Sequence, residues 1–428
     1  MLTRRSFVAN ASALLASCMH SARSLAREAS TGTYAFRDAH WFDGERFRRG
    51  DFYSVAGTLT FERPQRVEME FDLSRKYVVP PLGEAHNHNI ESSPGIDEVI
   101  GNYVRDGIFY VKNPNTSLAS RTALAHKVNA PSSIDVSFAN GGITASGGHP
   151  IGIARRNLER GGSLEMWGEG AFYFVVDSEA DLDRKWPLIL EGKPDFIKTL
   201  LLYSEDYERR KADDAYLYWR GLNPSLLPAI VDLAHRAGLR VSTHVETAAD
   251  FHHALIAGVD EINHMPGFRV ERDDWATADP ARFRISAADA SLAAQRRTVV
   301  VTTLVSALER ILEARAGEKM QAWRDLIVGN LRMLRDNSVR LAIGSDSYRQ
   351  TSMPEGLGLA RLGIFDNRSL LQMWCETTAA TIFPARKIGR LREGYEASFL
   401  ILDADPLQDL ANLQKISRRF KQGAFLSS

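Results

Sequence analysis

Between about Val79 and Ala385, short apolar runs alternate with amphipathic stretches, and this alternation sets the architecture. It is clearest from Asn223 to His264. Asn223 can cap a helix whose first residue is Pro224, and Leu227, Ile230, Val231 and Ala234 fall at i, i+3, i+4 and i+7 to give one apolar stripe. Gly238 ends that helix, and the strand LRVSTH follows at once. Thr247 with Asp250 then has the spacing of a capping box opening a second helix, which Gly258 closes before the strand VDEINH. Two strand-helix units in succession predict a parallel α/β sheet. Roughly 300 residues of such alternation favour a (β/α)8 barrel with insertions over an open doubly wound sheet, and no G-x-G-x-x-G follows an early strand.

The two ends have a different texture. From Thr33 to about Val78 the chain reads as short strands with turn signals, and the same pattern returns in Ala397–Asp403. Residues 31–78 and 386–428 are therefore expected to pair into one small β-sandwich domain flanking a barrel at 79–385, since domain termini tend to lie together. Residues 1–30 stand apart. Arg4 and Arg5 precede a weakly apolar Ala/Ser/Leu run, which reads as an export signal of the twin-arginine kind and predicts a periplasmic location in a bacterium. Ser24-Leu25-Ala26 offers a cleavage site, and Leu15-Ala16-Ser17-Cys18 offers a lipid anchor at Cys18 instead.

Composition narrows the partners. The 428 residues are 44% apolar and 25% charged, as in an ordinary soluble protein, and Lys+Arg and Asp+Glu are both 53. That balance leaves no electrostatic footprint for nucleic acid or an anionic membrane, so a small molecule or short peptide is the expected partner. No apolar stretch approaches the roughly 20 residues that span a bilayer. The cysteines are Cys18 and Cys375, so removal or lipidation of Cys18 leaves no intrachain disulfide. A homo-oligomer is compatible with all of this and specified by none of it.

Chemistry enters at strand ends. After the run YVV and a Pro-Pro break come His86 and His88, one residue apart, so that an extended strand would turn both imidazoles to one side. Alone, the pair could be a solvated strand end. His244 and His264 close the two strands named above, and the C-terminal ends of barrel strands converge on one face. Four imidazoles at three strand ends point to metal ligation. Lys198 lies within the apolar strand PDFIKTLLLY, where an ammonium is costly unless neutralised, paired or drawn to the strand end. Asp346 closes the strand RLAIGSDS and reads as a ligand, a general base or a helix cap.

His86-x-His88, Lys198, His244, His264 and Asp346, in that order, resemble the metal-dependent amidohydrolase superfamily. Phe42-Asp43-Gly44 and the tail ETTAATIFPARKIGRLREGYEASFLILDADPL extend the resemblance to nearly all of the chain after the signal. The resemblance implies a distorted (β/α)8 barrel with a small β-sandwich, and two divalent ions, Zn2+ foremost. It implies that a carbamylated Lys198 bridges the ions, that His86 and His88 hold the more buried one with Asp346, and that His244 and His264 hold the other. Asp346 would then act as general acid and base in hydrolysis of an amide-type C–N bond. Asn87 and Asn89 stand where the family more often has apolar residues, and Ser398 where its tail more often has Asp.

The stretch ANGGITASGGHPIG looks like the Gly-Gly-His segment of the branch containing Xaa-Pro dipeptidases and imidazolonepropionases, where that histidine, here His149, contacts substrate. A glycine-rich turn with an incidental histidine is the other reading. Tyr203 could donate to a tetrahedral oxyanion or pack the rim, and Arg349 could meet a substrate carboxylate. The insertions Glu205–Gly221 and Met265–Phe283 carry Tyr216, Tyr218, Trp219, Phe268 and Trp275 as lid candidates. The expected activity is metal-dependent hydrolysis of an N-acyl amino acid or short peptide. The alternatives are a cyclic amidase or lactonase, and a metal-binding barrel without turnover.

Overall fold

Local signals from Asn223 to His264 act as their chemistry requires. The Asn223 side chain accepts from the backbone N–H of Ser225, a short 3-10 turn at Pro224–Leu226 leads into the helix Leu227–Arg236, and its stripe residues are buried. Thr247 and Asp250 form a reciprocal capping box on the helix Ala248–Ala257, and Gly258 ends it with φ 86°. The structure, a computed structural model, describes residues 32–91, 95–312 and 317–426. The expected export signal with Arg4 and Arg5, and the lipid-anchor candidate Cys18, lie outside the described residues. No helix of the described residues is long and apolar enough to cross a membrane.

Among the described residues, seventeen strands make two sheets. The first segment supplies β1 (Thr33–Phe42), β2 (Phe47–Val55), β3 (Thr58–Thr60), β4 (Met69–Asp72) and β5 (Tyr77–Val79). Next come β6 (Leu82–Glu84), β7 (Ile108–Thr116), β8 (Asp135–Thr144), β9 (Tyr173–Val175) and β10 (Phe196–Leu200). The series ends with β11 (Val241–His244), β12 (Glu261–Asn263), β13 (Val299–Val301), β14 (Arg340–Ala342), β15 (Phe399–Leu402), β16 (Ile416–Lys421) and β17 (Ala424–Phe425).

Strands β6, β7, β8, β10, β11, β12, β13 and β14 lie side by side in that order, all parallel, with β9 added to β8. Every residue of β7, β8, β10 and β11 is buried, as expected where helices cover one face and a packed interior the other. The sheet curls, and just beyond β6 and β14 its two ends are laced together. Ala85 N–H donates to the Ile343 carbonyl at 2.9 Å, and Asp346 N–H to the His86 carbonyl at 2.8 Å. Gly344 permits this seam, because a Cβ there would sit 2.8 Å from the His86 nitrogen and 2.7 Å from Val301. The parallel α/β sheet is therefore as expected.

The terminal segments form one eight-stranded sheet in the order β17-β16-β15-β5-β1-β2-β3, with β4 on β1. Antiparallel pairing of Leu400 with Val79 joins the two ends of the chain. On a flat sheet β16 would lie three strand spacings, about 14 Å, from β1. Phe36 of β1 nevertheless approaches Phe420 of β16 to 5.2 Å and Phe399 of β15 to 4.8 Å between ring centroids, so this sheet wraps around an aromatic core. A small β unit built from both ends is present, as one wrapped sheet.

Candidate active site

The chemistry-bearing residues gather at one end of the parallel sheet. His86 lies two residues past β6, Lys198 within β10, His244 at the last position of β11, His264 directly after β12 and Asp346 four residues past β14. Register aligns them: Leu200 pairs with His244, and His244 with Asn263. His264 and Asp346 have φ values of 75° and 51°, left-handed conformations that cost a non-glycine residue free energy and turn the side chains in over the sheet.

Asp346 Oδ1 sits 3.3 Å from Nε2 of His86 and 3.3 Å from Nε2 of His88. The His86 and His264 rings are 4.5 Å apart between centroids, and those of His264 and His244 4.4 Å. One ligand atom each from His86, His264 and Asp346 falls within a 4.8 Å cluster, close enough to share a cation. Lys198 Nζ donates to Asn263 Oδ1 on the floor beneath them.

Neighbours fix which ring nitrogens face inward. His88 Nδ1 lies 2.9 Å from Glu91, and His264 Nδ1 lies 2.7 Å from the Thr303 hydroxyl, which itself donates to the Thr302 carbonyl. Nε2 of each is thereby left for the centre. Phe268 stacks on His264 with ring centroids 4.1 Å apart. His86 Nδ1 is buried and, among the described residues, has no hydrogen-bond partner.

Burial and charge set the protonation states. Burial, with Lys198 next to it, pushes His86 down to about 3 against the pull of Asp346. Burial likewise holds His244, His264 and His149 well below the usual imidazole range. At His88 burial is outweighed by the carboxylates of Asp346 and Glu91, which raise it to about 9. Burial also works against ionisation of Asp346, but His264, then His86 and His88, keep its carboxyl well below the usual range. Burial brings Lys198 down to about 7, with Asp346 and Glu261 resisting and Lys112 assisting, so a neutral amine is accessible near neutral pH.

A buried network holds the seam from behind. Glu84 accepts from the backbone N–H of Ser345 at 2.8 Å and from its hydroxyl at 2.9 Å, while the Asn87 amide donates to the Ser345 hydroxyl at 2.7 Å and to the Gln350 carbonyl at 2.9 Å. The asparagine that departs from the usual pattern thus has a structural partner. Beside His244, Glu246 lies 3.2 Å from Nε2 and is paired with Arg269. Below Lys198, Lys112 donates to Glu261 at 2.8 Å, and Glu261 also accepts from Ser242, Asn263 and Thr381.

A cavity of about 580 Å³ opens over the cluster and is lined by His86, His88, Lys198, His244, His264 and Asp346, with His149 also on its wall. His149 is 5.2 Å from His244 between ring centroids. The other two substrate-contact candidates are placed differently. Tyr203 is 2% exposed and does not line this cavity: its hydroxyl accepts the Glu271 backbone N–H at 2.7 Å, and Arg210 and Arg282 stack on its ring. Its part is to fasten the Met265–Phe283 insertion, the rim-packing alternative. Arg349 lines an adjoining cavity of about 720 Å³ that shares Arg269, Asp346 and Tyr348 with the first.

The two insertions are bolted together by Arg210, which pairs with Glu271 at 2.6 Å. Trp219, Phe268 and Trp275 line the adjoining cavity. The sequence reading missed Glu84, Ser345, Glu246 and Arg269, which are ordinary polar residues until the sheet curls. It also missed Arg156 and Arg160, whose four-residue spacing within a helix was a usable signal.

Residues 220–424 match the model of the amidohydrolase family. A search of curated proteins finds no match. Among solved structures, the fold is similar to that of a Xaa-Pro dipeptidase with bound methionine in its active site, at 17% identity and TM-score 0.68, covering 93% of this chain and 100% of that one. It is similar to a prolidase complexed with N-methylphosphonate-L-proline, at 15% identity and TM-score 0.67, over 92% of this chain and 99% of the other. It is also similar to A. niger ochratoxinase, at 16% identity and TM-score 0.68, over 92% and 95% of the two chains. At these identities the likeness is one of fold.

Proposed function

We propose that this chain, whose residues 220–424 match the amidohydrolase family, is a metal-dependent hydrolase that cleaves an amide-type C–N bond in an N-acyl amino acid or short peptide. The observation that carries the reading is the approach of one Asp346 carboxylate oxygen to within 3.3 Å of both His86 and His88 Nε2, under a cavity large enough for such a substrate. The residues fit a divalent cation. Burial keeps His86, His244 and His264 neutral, His86 Nδ1 has no hydrogen-bond partner among the described residues, and Asp346 is ionised. With His88, which would release the proton that Asp346 and Glu91 favour, these groups form an N/O donor set that suits zinc, and equally manganese or cobalt.

His86, His88 and Asp346 would hold one ion, and His244 and His264 a second. Lys198 would bridge them after its neutral Nζ attacks CO2, forming an N–C bond and releasing a proton, a step that its depressed pKa favours. Bound there, the divalent metals supply Lewis acidity that activates a water and polarises the scissile carbonyl. Asp346 Oδ1 takes the proton of the attacking water and returns it to the leaving nitrogen, so the amine departs neutral. Phe268 packs on the His264 ring, and the insertion that carries it is tied to the other by the Arg210–Glu271 pair. His149 borders the substrate space beside His244. The twin-arginine-like segment at 1–30 supports an exported, periplasmic enzyme. Prolidase and dipeptidase neighbours of the same fold support an amide substrate.

Amine release from a panel of dipeptides and N-acyl amino acids by the zinc-loaded protein tests the reading. Release that disappears on chelation is expected. Silence across the panel, with ring opening of cyclic amides or lactones instead, would overturn the peptide assignment.

A further inference from the structure

Four residues of the cavity wall come from a single helix and lie on one of its faces. The helix spans Ile151–Glu159 and is capped by Arg160. Ile153, Arg156, Asn157 and Arg160, at i, i+3, i+4 and i+7, all line the 580 Å³ cavity that holds His86 and Asp346. Residues four apart on a helix are neighbours, with Cβ atoms about 5–6 Å apart, so Arg156 and Arg160 stand side by side along this wall.

The same helix carries a third arginine, which is satisfied locally: Arg155 pairs with Glu159 at 2.7 Å and donates to the Tyr218 hydroxyl at 3.2 Å. Among the described residues, neither Arg156 nor Arg160 makes an ion pair or a side-chain hydrogen bond. The acidic residues lining the cavity are already engaged, Glu91 by His88 and Asp346 by His86 and His88. Complementing the helix dipole accounts for basic residues in a last turn, but not for two of them on the cavity face while the available glutamate serves the third. Two like charges in one wall repel each other slightly, and a carboxylate between them would reverse that.

We propose that Arg156 and Arg160 bind a substrate carboxylate, so that the enzyme selects N-acyl amino acids or dipeptides bearing an acidic group on the portion that meets this wall. The inference rests on the hydrolase reading above and narrows its substrate class. A guanidinium pair grips a carboxylate through several planar N–H···O bonds, which gives direction as well as charge. The carboxylate could be an acidic side chain or a free chain terminus, and the two are separable by experiment.

Calorimetric titration of the full chain with glutarate, which has no C–N bond to cleave, reads binding without turnover. In Arg156→Gln/Arg160→Gln, glutarate affinity is expected to fall ten-fold or more, while Arg155→Gln on the opposite face leaves it unchanged. Equal affinity in the double variant and the wild type overturns the proposal, whether or not any amide is hydrolysed. A loss of binding in a chain that turns over no peptide would sink the peptide assignment and leave the anion site standing. Among substrates, kcat/KM for N-acyl-glutamate falling much more than that for N-acyl-glutamine in the double variant assigns the side-chain carboxylate to the pair. An equal fall for both assigns the terminal carboxylate.

Discussion

Asn87 donates its side-chain amide to the hydroxyl of Ser345 at 2.7 Å, joining residues 258 positions apart in the chain. The bond spans the seam where the first and last parallel strands meet, and its two residues adjoin His86 and Asp346. Asn87→Leu leaves the Ser345 hydroxyl and the Gln350 carbonyl without their buried donor, which costs about 1–3 kcal/mol in stability. Because the seam aligns His86 with Asp346, metal affinity should fall about ten-fold or more. Chemical denaturation and a metal titration check both, and an unchanged midpoint with unchanged affinity would remove the seam from the account.

Asp346 and Lys198 should separate metal binding from turnover. Asp346→Asn retains an oxygen ligand but not the proton acceptor, so bound metal is expected to persist while kcat drops by about 100-fold or more. Lys198→Ala removes the candidate bridge, and metal content should fall from two ions per chain. Elemental analysis beside turnover distinguishes the two variants. A fully active Asp346→Asn enzyme would take the general acid and base role away from this residue.

Lys112 and Glu261 form a buried pair beneath the site. Burial opposes ionisation of Glu261, yet Lys112, Arg240 and the Thr381 hydroxyl hold it down at about 2, below its ordinary value of 4.5. Between those values the unfolded chain takes up a proton that the folded chain does not. Stability from this group is therefore complete above about pH 4.5 and is lost as pH falls towards 2. Lys112→Met strands a buried carboxylate and should cost about 3–5 kcal/mol at pH 7. Lys112→Met/Glu261→Gln should recover much of that loss and flatten the acid limb of the stability profile. Denaturation midpoints across pH 2–7 decide it.

Tyr203 provides a contrast. If its hydroxyl stabilised an oxyanion, Tyr203→Phe would cost about 100- to 1,000-fold in kcat. Its position, accepting from Glu271 beneath two arginines, predicts instead a loss of about 1 kcal/mol in stability with kcat little changed. Thermal melting and steady-state kinetics on one preparation separate the outcomes.

What could be read from the chain followed physical range. Asn223, Thr247, Asp250 and Gly258 act on groups a few residues away, so the helices they bound were legible, and the strands between them followed. His86, His88, Lys198, His244, His264 and Asp346 were legible as strand-end chemistry because parallel strands deliver their C-terminal ends to one face. Tyr203 sits five residues past Lys198, but its left-handed backbone, φ 50°, and the insertion above turn it away from the cavity, and neither was visible in spacing. Glu84 with Ser345 and Glu246 with Arg269 pair only once the sheet curls. The aromatic core of the terminal sheet likewise depends on wrapping between distant segments rather than on local period.

Turnover of a dipeptide or N-acyl amino acid, followed while the chain is stripped of divalent metal and refilled, tests the central claim most directly. The account predicts no amine release from the stripped chain, activity that returns as zinc refills to two ions, and none from Asp346→Asn at full occupancy. Amine release that persists after complete stripping, or a wild-type chain with two zinc ions that cleaves no amide bond, would contradict it.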